Sequence, residues 1–306
     1  LSGLETQRKA EQTLQPDASR VNIKQVTAEA ASLELKVASF NLRRNVWFDG
    51  WNMWPLRRKR VLEWFRANEP DLVGVQELLP SMRADLERSL KSYTCIGEAR
   101  DGGGRDESCP ILYRKMGWRR RKTGTFWLSE TPEQPGSKSW DAAYPRICSW
   151  CELEASLPDG GSKRLRLYNT HLDHAGPEAR LHGAAVIGEQ IARHHKEEPL
   201  PFVWTGDFNA TFGSRPIDYI TVTMEEQTGL RVRDVYSLAG GSALEMPTAE
   251  EPGRTFHGYR GGVNGWPIDF IFISDDIMVE HVEVDRTRFG WFYPSDHYPV
   301  LTRLRL

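Results

Sequence analysis

No run of apolar residues in this chain approaches the roughly 20 needed to cross a bilayer. The longest, Pro201-Phe202-Val203-Trp204 and Phe270-Ile271-Phe272-Ile273, are strand-sized, so a soluble protein is expected. A surplus of charge is missing too. Basic residues number 40 against 42 acidic ones, a net −2, whereas a protein that grips duplex nucleic acid usually carries a basic surplus or stripe. Two local basic runs, Arg57-Arg58-Lys59-Arg60 and Arg119-Arg120-Arg121-Lys122, read as a solvated helix face and a strand edge. Nucleic acid is therefore a disfavoured partner. Cysteine is scarce: Cys95, Cys109, Cys148 and Cys151 are the only four. Cys148 and Cys151 form a C-x-x-C inside a stretch that reads as strand, without a second such pair or a nearby His pair. They read as buried small hydrophobes rather than a zinc site. Short-period repeats and low-complexity tracts are absent. The chain opens on Leu1 rather than Met, so a processed or truncated start is expected, with cytoplasm and export both open. Oligomeric state is not legible.

The 306 residues, 39% of them hydrophobic, suffice for a large core. Residues 1–33 are polar, with helical stretches broken at Pro16, and read as an N-terminal extension to a domain over 34–306. Alternating apolar residues predict a strand at Leu35–Asn41. Past a loop holding Trp47, Trp51 and Trp54, Pro55 can open a helix, with Val61, Leu62 and Phe65 at helical spacing and Pro70 closing it. Asp71–Glu77 reads as a buried strand and Ser81–Ser89 as a helix. Strand-like stretches follow at Tyr93–Glu98, Cys109–Arg114, Trp118–Leu128, Ile147–Glu154 and Leu165–Thr170, the last two joined by a Pro158-Asp159-Gly160-Gly161 turn. A helix starts at Pro177, and strands lie at Phe202–Trp204, Ile268–Ile273 and Pro299–Leu304. Strands with frequent hairpin signals and covering helices, in what look like two related halves, predict an α+β fold. Its form is a four-layer αββα sandwich of two packed, mainly antiparallel sheets flanked by helices.

Polar residues recur at the strand ends, where loops gather a site from distant sequence. Asp207 and Asn209 offer a carboxylate and a carboxamide, suited to a water nucleophile and an anionic oxygen, although Gly-Asp-Phe-Asn is equally an ordinary turn. His297 follows Asp296, and imidazole can serve as base, acid or phosphate donor. Asp269, between Ile268 and Phe270, is a charge inside an apolar strand and needs a partner. His171 ends a strand. Glu77 is a hard oxygen ligand suited to Mg²⁺ or Mn²⁺, or a strand-end cap.

Taken together, Ser39-Phe40-Asn41, Gln76-Glu77, Asn169-Thr170-His171-Leu172, Gly206-Asp207-Phe208-Asn209, Ile268-Asp269-Phe270-Ile271 and Ser295-Asp296-His297 resemble the endonuclease/exonuclease/phosphatase superfamily over about residues 35–306. The resemblance implies a Mg²⁺-dependent phosphoester hydrolase. Glu77, helped by Asn41, would place the metal, and Asp296 matches a second acidic position. His171 and Asn209 would donate to phosphoryl oxygens, Asp207 would orient or deprotonate water, and His297, held by Asp269, would be the base or charge-stabilising partner. Arg146 falls where related nucleases place a phosphate-contacting arginine, and Glu107 where a glutamate steadies the first histidine.

Gly124–Pro132, Trp140-Asp141-Ala142-Ala143, and Asp173, His174, Gly176 and Arg180 resemble a poorly characterised microbial subgroup. Trp291-Phe292-Tyr293, like Trp47, Trp51 and Trp54, could wall the phosphate or pack in the core. Near-neutral charge favours a phosphorylated small molecule, glycan or lipid headgroup as substrate. A nuclease, suggested by Arg43-Arg44 beside Asn41, and a catalytically silent binding module remain the other readings.

Overall fold

A computed structural model describes residues 32–239 and 252–306. Residues 1–31, which hold most of the expected N-terminal extension, lie outside the described residues. Two six-stranded sheets pack face to face. The first has the order β11-β12-β1-β2-β4-β3, and the second β5-β6-β7-β8-β10-β9. The first is built from β1 (Glu34–Asn41), β2 (Leu72–Gln76), β3 (Tyr93–Ile96), β4 (Ile111–Arg114), β11 (Met278–Val284) and β12 (Val300–Arg305). The second comprises β5 (Trp118–Trp127), β6 (Ile147–Ser156), β7 (Ser162–His171), β8 (Phe202–Asp207), β9 (Val232–Asp234) and β10 (Asp269–Ser274).

Each sheet contains one parallel pair, β1 with β2 and β7 with β8; the other named pairings are antiparallel. A parallel pair needs a crossover, and helices supply both: α1 (Trp54–Asn68) between β1 and β2, and α3 (Pro177–Glu197) between β7 and β8. A third helix, α2 (Pro80–Ser89), follows β2. The outer face of the first sheet packs Phe40 on Trp64 and Phe65 of α1, with Met82 and Leu86 of α2 in the same cluster. On the second sheet, Ile187 and Ile191 of α3 join Tyr168, Phe202 and Trp204. The helices thus form the outer layers, each burying one apolar stripe.

The expected elements form within three residues of their predicted bounds, and Ser156 pairs with Ser162 across the predicted turn. Five elements carry no pattern strong enough to announce them: a 3₁₀ turn at Trp47–Asn52, a helical stretch running from Arg215 to Thr228, β9, a short helix at Val235–Ala239, and β11. β11 has mixed burial, and its register shifts between Val279 and His281. No helix among the described residues is long and apolar enough to cross a membrane. Cys148 and Cys151 are fully buried free thiols.

The first basic run requires a correction. Arg57 is not on a solvated face but is 0% exposed. It lies on the helical stripe of Val61, Trp64 and Phe65, which are likewise buried. Arg119–Lys122 does lie on β5, an edge strand, with the four side chains largely exposed.

Candidate active site

Parallel pairing brings the carboxyl ends of β1 and β2, and of β7 and β8, to shared edges. Asn41 sits opposite Gln76, with Glu77 next in the chain. His171 sits opposite Asp207, and the antiparallel β10 begins there, placing Asp269 beside Asp207. Three chemically capable residues therefore stand in one row across three strands. The turn before β12 delivers Asp296 and His297. Between these edges lies a cleft of about 380 Å³ whose lining includes Glu77, His171, Asp207, Asn209, Asp296 and His297.

Asp207 is the hub. Its Oδ2 accepts a hydrogen bond from Asn41 Nδ2 at 2.9 Å and lies 3.5 Å from His171 Nε2 and 3.8 Å from His297 Nε2. Oδ1 accepts the Asn209 N–H at 3.0 Å. Behind His297, Asp269 Oδ2 lies 2.8 Å from Nδ1, so the buried charge has its partner. Burial first, and then the Asp269 charge, push the Asp207 carboxyl up to about 7, against His297 and the Asn41 amide. Burial alone would depress His297, but Asp269, helped by Asp207 and Asp296, raises it to about 10. Burial, with Arg146 nearby, keeps His171 well below the ordinary histidine range, hence neutral at pH 7.

Three lining residues have left-handed backbones: Arg43 at φ 55°, Asn209 at φ 46° and Glu77 at φ 60°. Asn tolerates that region and Glu rarely adopts it, so the turn after β2 is held by its surroundings. Glu77 accepts Asn41 Nδ2 at 3.0 Å and the Arg44 N–H at 2.8 Å. Asn209 is fixed by its amide, which donates to the Leu172 carbonyl at 3.1 Å.

Hard oxygen donors dominate one side of the cleft. Burial would raise the Glu77 carboxyl, but the Arg44 N–H and Asn41 hold it below the usual carboxylate range. Burial lifts Asp296, and the Glu77 charge adds to the lift against His297 and Arg43. Mutually repelling carboxylates with no thiolate in the lining are a donor set for a hard divalent cation. Asp207, Asp269 and His297 also each offer a ligand atom within 4.8 Å of the others. There, however, Asp269 already occupies His297 Nδ1, so the chemistry fits a metal better on the Glu77 side.

Among the remaining predicted residues, Arg146 lines the cleft and is held by Asp173 at 3.3 Å and by His174 Nδ1 at 3.0 Å. Glu107 also lines it but pairs with Arg100 at 2.9 Å and with Arg44. His171 Nδ1 has no hydrogen-bond partner among the described residues, so Glu107 does not steady that ring. Trp291 is 90% exposed, and Tyr293 is buried against His257 and Tyr298; neither lines the cleft. Phe256, over His297 at 5.0 Å, takes the aromatic position instead. Trp47 and Trp51 are solvent-exposed, Trp54 is buried, and none of the three lines the cleft.

Sequence reading missed Arg57, Arg100, Tyr144 and Phe256. Arg57 donates to the carbonyls of Leu42, Arg43 and Arg44, to Asn52 O at 2.8 Å and to Pro294 O at 3.2 Å. It therefore ties the loop after Asn41 to the turn before Asp296. Its place on the apolar stripe of α1 was the available signal. Tyr144, two residues before Arg146, offered none.

The model of the Endonuclease/Exonuclease/phosphatase family matches residues 38–297. No curated protein sequence matches the chain. Among solved structures it is similar to an endonuclease/exonuclease/phosphatase from Bacteroides vulgatus, at 32% identity and TM-score 0.77 over 89% of this chain and 98% of that one. A family protein from Bacteroides thetaiotaomicron is 29% identical with TM-score 0.79, covering 90% and 99% of the two chains. A mannosyl-6-phosphatase from the same organism is 30% identical with TM-score 0.76, covering 88% and 99%.

Proposed function

The chain belongs to the endonuclease/exonuclease/phosphatase family, and from that premise we propose that it is a divalent-metal-dependent hydrolase of small phosphorylated molecules. The observation that carries the reading is the convergence of Asn41, His171 and His297 on one Asp207 oxygen, with Asp269 behind His297. A phosphoester resists water because its negative oxygens repel the nucleophile. A site for it must neutralise charge and activate water at one point.

Glu77, with Asn41 and Asp296, would hold Mg²⁺ or Mn²⁺, which when bound supplies Lewis-acid charge at a phosphoryl oxygen. Neutral His171 and the Asn209 amide donate to the other oxygens. Asp207, which titrates near 7, accepts the proton of the attacking water, and His297, which keeps its own proton to about 10, balances the charge that develops. A cleft of about 380 Å³ is at the small end of ligand pockets and suits a small molecule better than a polymer. Likeness to a mannosyl-6-phosphatase supports a phosphorylated sugar within that class.

The test is hydrolysis of p-nitrophenyl phosphate, bis-p-nitrophenyl phosphate, plasmid and single-stranded RNA with Mg²⁺ or Mn²⁺. Chelation should abolish turnover. Glu77→Gln and His297→Ala should each lower kcat by about a thousandfold while circular dichroism stays unchanged. Wild-type rates in both variants would overturn the proposal, and efficient plasmid cleavage would replace the small-molecule reading with a nuclease.

A further inference from the structure

One wall of the cleft takes no part in the chemistry proposed above. Arg100, Tyr144, His174 and Arg146 all line it. The Arg100 guanidinium lies 4.7 Å from the centroid of the Tyr144 ring, and the Tyr144 and His174 rings stack at 5.9 Å with 21° between planes. His174 Nδ1 in turn meets Arg146 Nη2 at 3.0 Å. Arg100 is itself anchored by Asp106 and Glu107, each at 2.9 Å. The wall is therefore rigid from both ends.

Its free polar groups have a definite character. Arginine can only donate, so His174 Nδ1 is the acceptor, and the ring proton of a neutral His174 is on Nε2. Neither Nε2 nor the Tyr144 hydroxyl has a hydrogen-bond partner among the described residues, although both side chains are exposed on the cleft. The Tyr144 ring is already engaged by Arg100 and His174, so an incoming planar base would have to compete for it. What this wall offers is two fixed hydrogen-bonding groups beside the phosphate position. Phe256 contributes an apolar face elsewhere in the same cleft. Hydrogen-bonding groups combined with an apolar face complement a ring that carries hydroxyls along its edge and C–H groups on its face.

We propose that Tyr144 and His174 form a leaving-group subsite that hydrogen-bonds the hydroxyls of a monosaccharide phosphate and so determine specificity. The inference rests on the phosphoesterase reading and adds to it the residues that choose the organic group. The two residues are not catalytic. Tyr144→Phe keeps the ring and its stacking while removing only the hydroxyl, and His174→Phe keeps a stacked ring while removing both nitrogens.

The experiment compares kcat/KM for mannose 6-phosphate and glucose 6-phosphate with that for p-nitrophenyl phosphate, whose leaving group has no hydroxyls to recognise. Tyr144→Phe should lower kcat/KM for at least one hexose phosphate about tenfold, mainly through KM, as expected for a lost hydrogen bond. Its p-nitrophenyl phosphate value should move less than about twofold. His174→Phe should also lower the hexose phosphate value more than the p-nitrophenyl phosphate value, with some loss on both because the Arg146 contact at Nδ1 goes with the ring nitrogens. Equal losses on sugar and aryl substrates, or no loss on the sugar, overturn the subsite. If the wild type hydrolyses p-nitrophenyl phosphate but neither hexose phosphate, the subsite falls and the phosphoesterase reading stands. If it hydrolyses no phosphoester with either metal, both fall.

Discussion

Asp173 is buried yet held as an anion by five donors. The N–H groups of Ala175 and Gly176 reach Oδ1 at 2.9 and 2.8 Å. Those of Ala143 and Tyr144 reach Oδ2 at 3.1 and 3.4 Å, and Arg146 Nε reaches it at 3.3 Å. Burial pulls its carboxyl upward, but the backbone donors and Arg146 overcome that and bring it down to about 2. A folded-state value below the unfolded one means that the group stabilises the fold fully above about pH 4 and loses that contribution as pH falls through 2. Asp173→Asn should therefore cost about 1–3 kcal/mol near neutrality. Urea midpoints of variant and wild type should converge between pH 4 and pH 2, and a gap that stays constant down to pH 2 would contradict the assignment. One residue thus fixes Tyr144, Arg146 and the entry to α3 together. In the sequence Asp173 was visible only as part of a resemblance, because three of its five donors come from a loop some 30 residues upstream.

The helices position the site by their ends and by single side chains. α3 has no side-chain cap of its own at Gly176. Asp141 supplies one from outside, accepting the N–H groups of Ala179 at 2.7 Å and Glu178 at 3.4 Å. Gly176 makes room for it, since a Cβ there would sit 2.5 Å from the Asp141 carbonyl oxygen. Trp140–Ala143 and Asp173–Arg180, two separate stretches in the chain, are therefore parts of one corner. α1 contributes Arg57, a buried guanidinium whose hydrogen bonds run to backbone carbonyls of the loop after Asn41 and the turn before Asp296. Lysine at that position keeps the charge but cannot serve so many acceptors. Arg57→Lys should destabilise the fold by about 2–3 kcal/mol and lower kcat by at least about tenfold, because Asn41 and Asp296 lose their common anchor. Guanidinium-free urea melts and steady-state kinetics on p-nitrophenyl phosphate check both numbers. An unchanged kcat in folded variant would show that the loops hold themselves. Periodicity made ten of the twelve strands and the three long helices legible. It put Arg57 on the apolar stripe of α1 but could not say what its guanidinium would hold, because that is decided by which carbonyls are left unpaired across the fold.

At the scale of the molecule, the cleft works only if the two sheets keep one relative position, since Glu77 and Asn41 belong to the first and His171, Asp207 and Asp269 to the second. Apolar packing between sheets resists separation but defines their mutual slide weakly, and a buried polar network supplies the definition. From β7, Asn169 Nδ2 donates to the carbonyls of Val75 at 2.8 Å and Pro110 at 2.9 Å in the other sheet. Its Oδ1 accepts Gln76 Nε2 at 2.7 Å and the Thr205 hydroxyl at 3.1 Å. The three bonds that cross to the other sheet, to Val75, Pro110 and Gln76, are made together only in one relative placement of the sheets. The approach is close enough that Gly74 has no room for a Cβ, which would fall 1.9 Å from Thr205 Oγ1 and 2.5 Å from Asn169 Oδ1. Asn169 and Gln76 were legible as members of ordered blocks, but their joining of the sheets was not, because no local pattern records which strands face each other. Asn169→Leu preserves volume but takes one hydrogen bond in the interior from each of the Val75 and Pro110 carbonyls and the Gln76 amide. Its cost should reach about 3 kcal/mol or more. Its folded fraction should also lose kcat by well over the factor shown by a surface control, since the Glu77 and Asp207 sides of the cleft are free to slide. Denaturant melts and kinetics at a temperature where the variant stays folded separate the two effects. A variant that loses stability but keeps wild-type kcat would mean that apolar packing alone sets the placement of the sheets.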